Sequence, residues 1–94
     1  MLGRFKKIKV IPGKEAEFEL LMSKLKAQVQ LHEPETMYYD LYKSQTEPST
    51  YIMMECYKDQ QALQEHEQSD HGAIFFPQIR PLLQSLEKEC FDGV

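Results

Sequence analysis

The sequence has no tryptophan, only two cysteines, four scattered glycines, and no apolar run near the roughly 20 residues that cross a bilayer. Each shortage excludes something. Cys56 and Cys90 lack CxxC spacing and are too few for a secreted disulfide framework, which leaves them as thiols packed on strands. Gly3, Gly13, Gly72 and Gly93 build no glycine-rich phosphate loop, so nucleotide cofactors are not indicated. Basic residues are also short: eleven Lys plus Arg against fifteen Asp plus Glu give a formal charge of -4. Attraction to nucleic acid or to anionic lipid therefore has little electrostatic support, and neither partner is expected. No hydrophobic segment follows the early basic residues Lys6, Lys7 and Lys9, so a cytoplasmic location is expected. Neither cysteine has a histidine beside it and no serine sits in a strained elbow pattern, so covalent catalysis is not indicated. His66 and His71 would lie about 140° apart if they shared one helix, which is off the one-face geometry of metal pairs, so no metal site is expected.

What is present is an ordinary globular balance, 41% hydrophobic and 28% charged over 94 residues, enough for one domain spanning residues 1–94. Phe5, Ile8, Val10 and Ile11 mark a first strand from Arg4 to Ile11, stopped by Pro12-Gly13. Phe18, Leu21, Met22, Leu25 and Val29 then recur at helical steps until Pro34. His32 extends that apolar stripe by one step and could line a cleft at the helix end. Thr36 to Ser44 alternates, with Met37, Tyr39 and Leu41 on one face and Tyr38, Asp40, Tyr42 and Ser44 on the other. A turn through Thr46-Glu47-Pro48-Ser49 leads into a second strand, Tyr51 to Tyr57, so the pair reads as an antiparallel hairpin. Asp59 has the chemistry of a helix N-cap. Ala62, Leu63 and His66 share a helical face, and Pro77 and Pro81 predict that the helical region from Ile74 to Leu83 is broken. Leu86 to Asp92 reads as the last strand.

This order is that of an α+β, ferredoxin-like βαββαβ fold, a four-stranded antiparallel sheet with its helices on one face. Cys56 and Cys90 would lie on strands flanking the first, about 9 to 10 Å apart and beyond disulfide reach. The strands carry Met, Tyr, Ile and Leu on both sides, so the face away from the helices is expected to be buried against a second copy in a homodimer. RNA-recognition domains share the order, but the third strand, Tyr-Ile-Met-Met-Glu-Cys-Tyr, has neither their glycine nor their basic lead residue. Five Tyr, five Phe, five Met and three His remain, a set that could line an apolar pocket holding a proton acceptor.

Several stretches carry a family resemblance: Ile11-Pro12-Gly13-Lys14, HEPETMYYDLYKS, Tyr51-Ile-Met-Met-Glu55-Cys-Tyr57-Lys-Asp59, and Ala62-x3-His66-x2-Ser69-x-His71. With them the chain resembles the antibiotic biosynthesis monooxygenase domain, a dimeric α+β barrel. Glu33-Pro34 and Tyr39-Asp40-Leu41 match its usual pattern, while Glu35 stands for the usual Gly and Tyr57 for an aromatic that is often Trp. The resemblance implies a cleft between helices and sheet in which a small electron-rich phenol or quinol is oxidised by dioxygen with no cofactor. It implies His71 as the base, with Tyr57 and Tyr39 orienting the substrate oxygen. His66, which would hold its helix against the sheet, His32 and Phe75 would contact the substrate. Relatives that degrade haem use an Asn, a Trp and a His where this chain has Lys6, Tyr57 and Phe76, so that activity is disfavoured. Two alternatives share the fold: an isomerase of a phosphorylated small molecule, in which Lys6 or Arg80 would meet the phosphate, and a non-catalytic binding or dimerisation module.

Overall fold

The computed structural model describes all residues, Met1 to Val94. The elements are β1 (Leu2–Val10), α1 (Glu15–His32), β2 (Thr36–Lys43), β3 (Thr50–Tyr57), α2 (Gln60–Glu67), α3 (Asp70–Ile79) and β4 (Leu83–Asp92). The sheet is antiparallel with strand order β2-β3-β1-β4, the expected ferredoxin-like arrangement. None of its helices is long and apolar enough to cross a membrane.

Phe18, Met22, Leu25 and Val29 form the buried stripe of α1 and meet Ile8 and Val10 of β1, Tyr51 and Met53 of β3, and Tyr39 of β2 in one core. The residue before a proline is pushed out of helical geometry, and Glu33, before Pro34, ends α1 with ψ 79° while its amide still donates to the Val29 carbonyl. Glu33 thereby leaves the helix axis at the point where β2 begins. In β2 the register slips between Thr36 and Tyr38, so Met37 is exposed and drops out of the face it was expected to share with Tyr39 and Leu41.

The second helical region differs from expectation in where it breaks. Pro77 lies inside a continuous α3, and the interruption comes earlier, between α2 and α3, where Ser69 caps α3 by accepting from the Gly72 amide. Pro77 and Ala73 are both exposed, so water can take the Ala73 carbonyl that the proline leaves without an amide donor. Pro81 falls in a short 3₁₀ turn, Arg80–Leu82, whose end feeds β4. That strand starts three residues before the expected Leu86, and its pairing with β1 has a register irregularity at Lys9/Val10. Asp59 caps α2 through a 2.9 Å bond from the Ala62 amide. Cys56 and Cys90 are free; their cross-strand partners on β1 are Gly3 and Arg4, adjacent positions on opposite faces of the sheet.

Candidate active site

On the helix-facing side of the sheet, between the main core and a smaller apolar cluster of Leu2, Tyr57, Ala62 and Leu63, the strands present charge. Arg4 of β1 pairs with Glu55 of β3 across the ladder, and both are buried. The Arg4 guanidinium donates to Glu55 Oε1 from Nη2 at 2.9 Å and from Nε at 3.2 Å, and the Tyr57 hydroxyl donates to the same oxygen. Lys6 Nζ stands 3.0 Å from Glu55 Oε2. Burial by itself would raise the Glu55 carboxyl; the Lys6 and Arg4 charges and the Tyr57 hydroxyl outweigh it and hold the group below its usual range. Burial pushes the Lys6 ammonium down. Burial, and then the Glu55 charge, push the Tyr57 and Tyr39 hydroxyls well up, so both stay neutral and neither serves as a proton acceptor.

A group whose folded pKa is depressed stabilises the fold above its unfolded pKa and loses that contribution as pH falls through the folded value. Glu55 is such a group. Stability measured by urea titration is therefore expected to hold down to about pH 4.3, the ordinary glutamate value, and to fall below it. In a Glu55→Gln variant that acid-limb slope should flatten.

The two histidines of the second helical region were expected to diverge on one helix. The break at Gln68 and Ser69 instead puts His66 on α2 and His71 on α3, and both rings turn to the same carboxylate. His66 Nδ1 donates to Glu33 Oε2 at 2.9 Å, His71 Nε2 donates to the same oxygen, and Thr36 Oγ1 donates to Oε1 at 2.7 Å. Burial would raise the Glu33 carboxyl, but the bonds from His66, Thr36 and His71 outweigh it and hold it down to about 2. An ionised carboxylate only accepts, so His71 Nε2 carries a hydrogen and Nδ1 is the ring nitrogen free to take a proton.

His66 is fully buried, 5.0 Å from the Tyr39 ring, 5.5 Å from Tyr57 and 5.6 Å from Phe76, so it joins α2 to the sheet. Gly72 permits this closure, since a Cβ there would stand 2.5 Å from Phe76 Cε2. His71, His32, Glu33 and Phe75 line a cleft of about 870 Å³ between the end of α1, the start of β2, and α2 and α3. The His32 ring stacks against His71 at 6.0 Å. Tyr39 and Tyr57 lie one layer deeper, behind His66. The cleft is more polar than the apolar pocket anticipated: Glu35, Asp59, Glu65 and Asp70 share its walls with Lys58, and Ala62, Ile74 and Phe75 are its apolar residues.

Sequence reasoning gave no site role to Arg4, Glu33 or Glu55. The signal for the ion pair was there, because Arg4 shares its strand face with Leu2 and Ile8, and Glu55 shares its own with Met53 and Tyr57. Opposite charges on two core-facing alternations ask for each other. Glu33 had no such signal, since its role depends on where three separate elements meet.

The pattern of the antibiotic biosynthesis monooxygenase family matches residues 1–76. The chain belongs to that family. A candidate antibiotic biosynthesis monooxygenase from Caulobacter crescentus is 32% identical, with 99% of this chain and 89% of that one covered and a TM-score of 0.95. A conserved protein from Methanosarcina mazei is 28% identical over 99% of this chain and 92% of its own, at a TM-score of 0.89. A further candidate monooxygenase of the family, from Nitrosomonas europaea, shares the fold at 18% identity, with 100% of this chain and 99% of that one covered and a TM-score of 0.91. No curated protein sequence matches the chain.

Proposed function

We propose that this member of the antibiotic biosynthesis monooxygenase family oxidises a small electron-rich phenol or quinol with dioxygen, without a cofactor, in the cleft between helices and sheet. The observation that carries the reading is the Glu33–His71 pair on the cleft wall. A carboxylate bonded to one imidazole nitrogen fixes the tautomer and leaves the other nitrogen as a positioned base. A phenol entering as the neutral molecule meets no charge repulsion from the acidic walls and gives up its proton only at His71. The phenolate then reduces dioxygen, one oxygen atom becomes a ring carbonyl and the other leaves as water. The phenolic O–H and one ring C–H are lost, and the substrate supplies all four electrons. His32 and Phe75 flank the ring of the substrate, while His66, Tyr39 and Tyr57, expected to contact or orient it, are buried behind the cleft wall and support that wall by holding α2 on the sheet.

A phosphorylated substrate is less well served. Of the two cations that would meet a phosphate, Lys6 is spent on Glu55 and Arg80 does not line the cleft, which is rimmed by carboxylates.

Oxygen uptake by chelator-treated protein against hydroquinones and polycyclic phenols tests the proposal, with His71→Ala beside it and autoxidation as the blank. Uptake above the blank that disappears in the variant supports it; no uptake across the panel, or full activity in the variant, refutes it.

The same reading includes a homodimer, acting in the cytoplasm, where the two thiols stay reduced. The outer face of the sheet presents Tyr38, Tyr42, Ile52 and Phe91, each at least 40% exposed. Sedimentation is expected to give twice the 11.1 kDa chain mass, and Ile52→Glu should shift it toward the single chain; a wild-type protein sedimenting at the single-chain mass would refute the pairing.

A further inference from the structure

The three histidines of the chain, His32, His66 and His71, gather at one place. Glu33, His66 and His71 each offer a ligand atom, and those atoms lie within 4.8 Å of one another. Donor atoms around a tetrahedral zinc, with bonds of about 2.0 to 2.2 Å, stand about 3.3 Å apart. His66 Nδ1 is 2.9 Å from Glu33 Oε2 and His71 Nε2 is closer still, so ring movements of up to about 1 Å open the space an ion needs. We propose that Glu33, His66 and His71 form a binding site for a divalent transition-metal ion of the zinc class, entered from the cleft.

Two further observations point the same way. The first is electrostatic: Glu35, Asp59, Glu65 and Asp70 set four carboxylates around the approach against the single ammonium of Lys58, a field that draws cations inward. The second is the far side of His66. Its Nε2 is buried with no partner, among the rings of Tyr39, Tyr57 and Phe76. When Glu33 takes the Nδ1 hydrogen of a neutral ring, Nε2 holds a bare lone pair in those aromatic surroundings. A metal on Nδ1 moves the hydrogen to Nε2, where an N–H meets aromatic faces favourably. The donor set, imidazole with one carboxylate, suits zinc, cobalt and nickel better than magnesium or calcium, which prefer all-oxygen shells. His71 and Glu33 face the cleft, so the positions of the ion not taken by protein open toward solvent or a ligand.

This inference goes beyond the oxygenase reading and competes with it for the same side chains. An ion that occupies Glu33 and His71 removes the positioned base, so bound zinc would silence cofactor-free turnover.

The test is calorimetric titration of the apo protein with Zn²⁺, together with Co²⁺ visible absorption, which reports coordination directly. One ion per chain is expected, with an intense tetrahedral cobalt spectrum. Glu33→Gln and His71→Ala, each checked for wild-type circular dichroism, should weaken binding by at least about tenfold and abolish the cobalt bands. Unchanged affinity in both folded variants, or no binding by the wild type below millimolar zinc, overturns the proposal. No substrate is present in this titration and no metal in the oxygen-uptake assay, so either reading can fail without the other.

Discussion

Replacing Arg4 with methionine is expected to destabilise the fold by about 3 to 5 kcal/mol, the cost of leaving a buried carboxylate without its main partner. Glu55 is completely buried and takes two guanidinium bonds on Oε1. Lys6 alone cannot replace them, because its ammonium reaches the other oxygen and is itself pushed down by burial. A domain of this length has a total stability of only about 5 to 14 kcal/mol, so the loss should be visible as a large drop in urea midpoint. The triple variant Arg4→Met/Lys6→Met/Glu55→Met should recover much of it, since removing all three charges removes the desolvation cost along with the attraction. Failure of the triple variant to recover would place the contribution of Arg4 elsewhere, in its packing on the Tyr57 ring at 5.9 Å or its 3.4 Å contact with Glu67.

His71→Ala is expected to lower turnover by about a hundredfold to ten-thousandfold, the range that a positioned general base supplies. The fold should survive, because His71 sits on the cleft wall and its loss opens a space that water can fill. Glu33→Gln should fall between the wild type and His71→Ala. The amide still accepts a bond from the His71 ring, but the negative charge facing the imidazolium that forms in the reaction is gone. Rates of the two variants measured at saturating substrate separate this effect from binding: a loss confined to KM would make His71 a binding residue. His66→Ala would give a less specific answer, since that ring also packs against Tyr39, Tyr57 and Phe76 and its removal leaves a cavity.

Much of this architecture was legible in the chain itself. The α1 stripe from Phe18 to Val29, the β2–β3 hairpin, the Asp59 cap and the strand order follow from periodicity, turn chemistry and the rules of connection, which act over a few residues at a time. Pro77 misled, because a proline inside a helical pattern is assumed to end it. Here the helix is short, the proline faces solvent, and the true break lies at Ser69, whose hydroxyl competes for the Gly72 amide and starts a new helix.

The sequence by itself determined the fold class and the apolar stripe of α1, and it pointed to His32 from the residues, and to His71 and Phe75 through the family resemblance, as residues of a cleft. The tertiary structure alone decided that Glu33, His66 and His71 share one oxygen, that Tyr39 and Tyr57 sit behind a histidine, and that Arg4 and Lys6 are committed to Glu55. The physical reason is range. Periodicity and capping are local, whereas a hydrogen bond between a residue at the end of α1 and rings on two later helices depends on the angle at which those helices cross the sheet. That angle is set by close packing of the whole core, and no short window of sequence contains it.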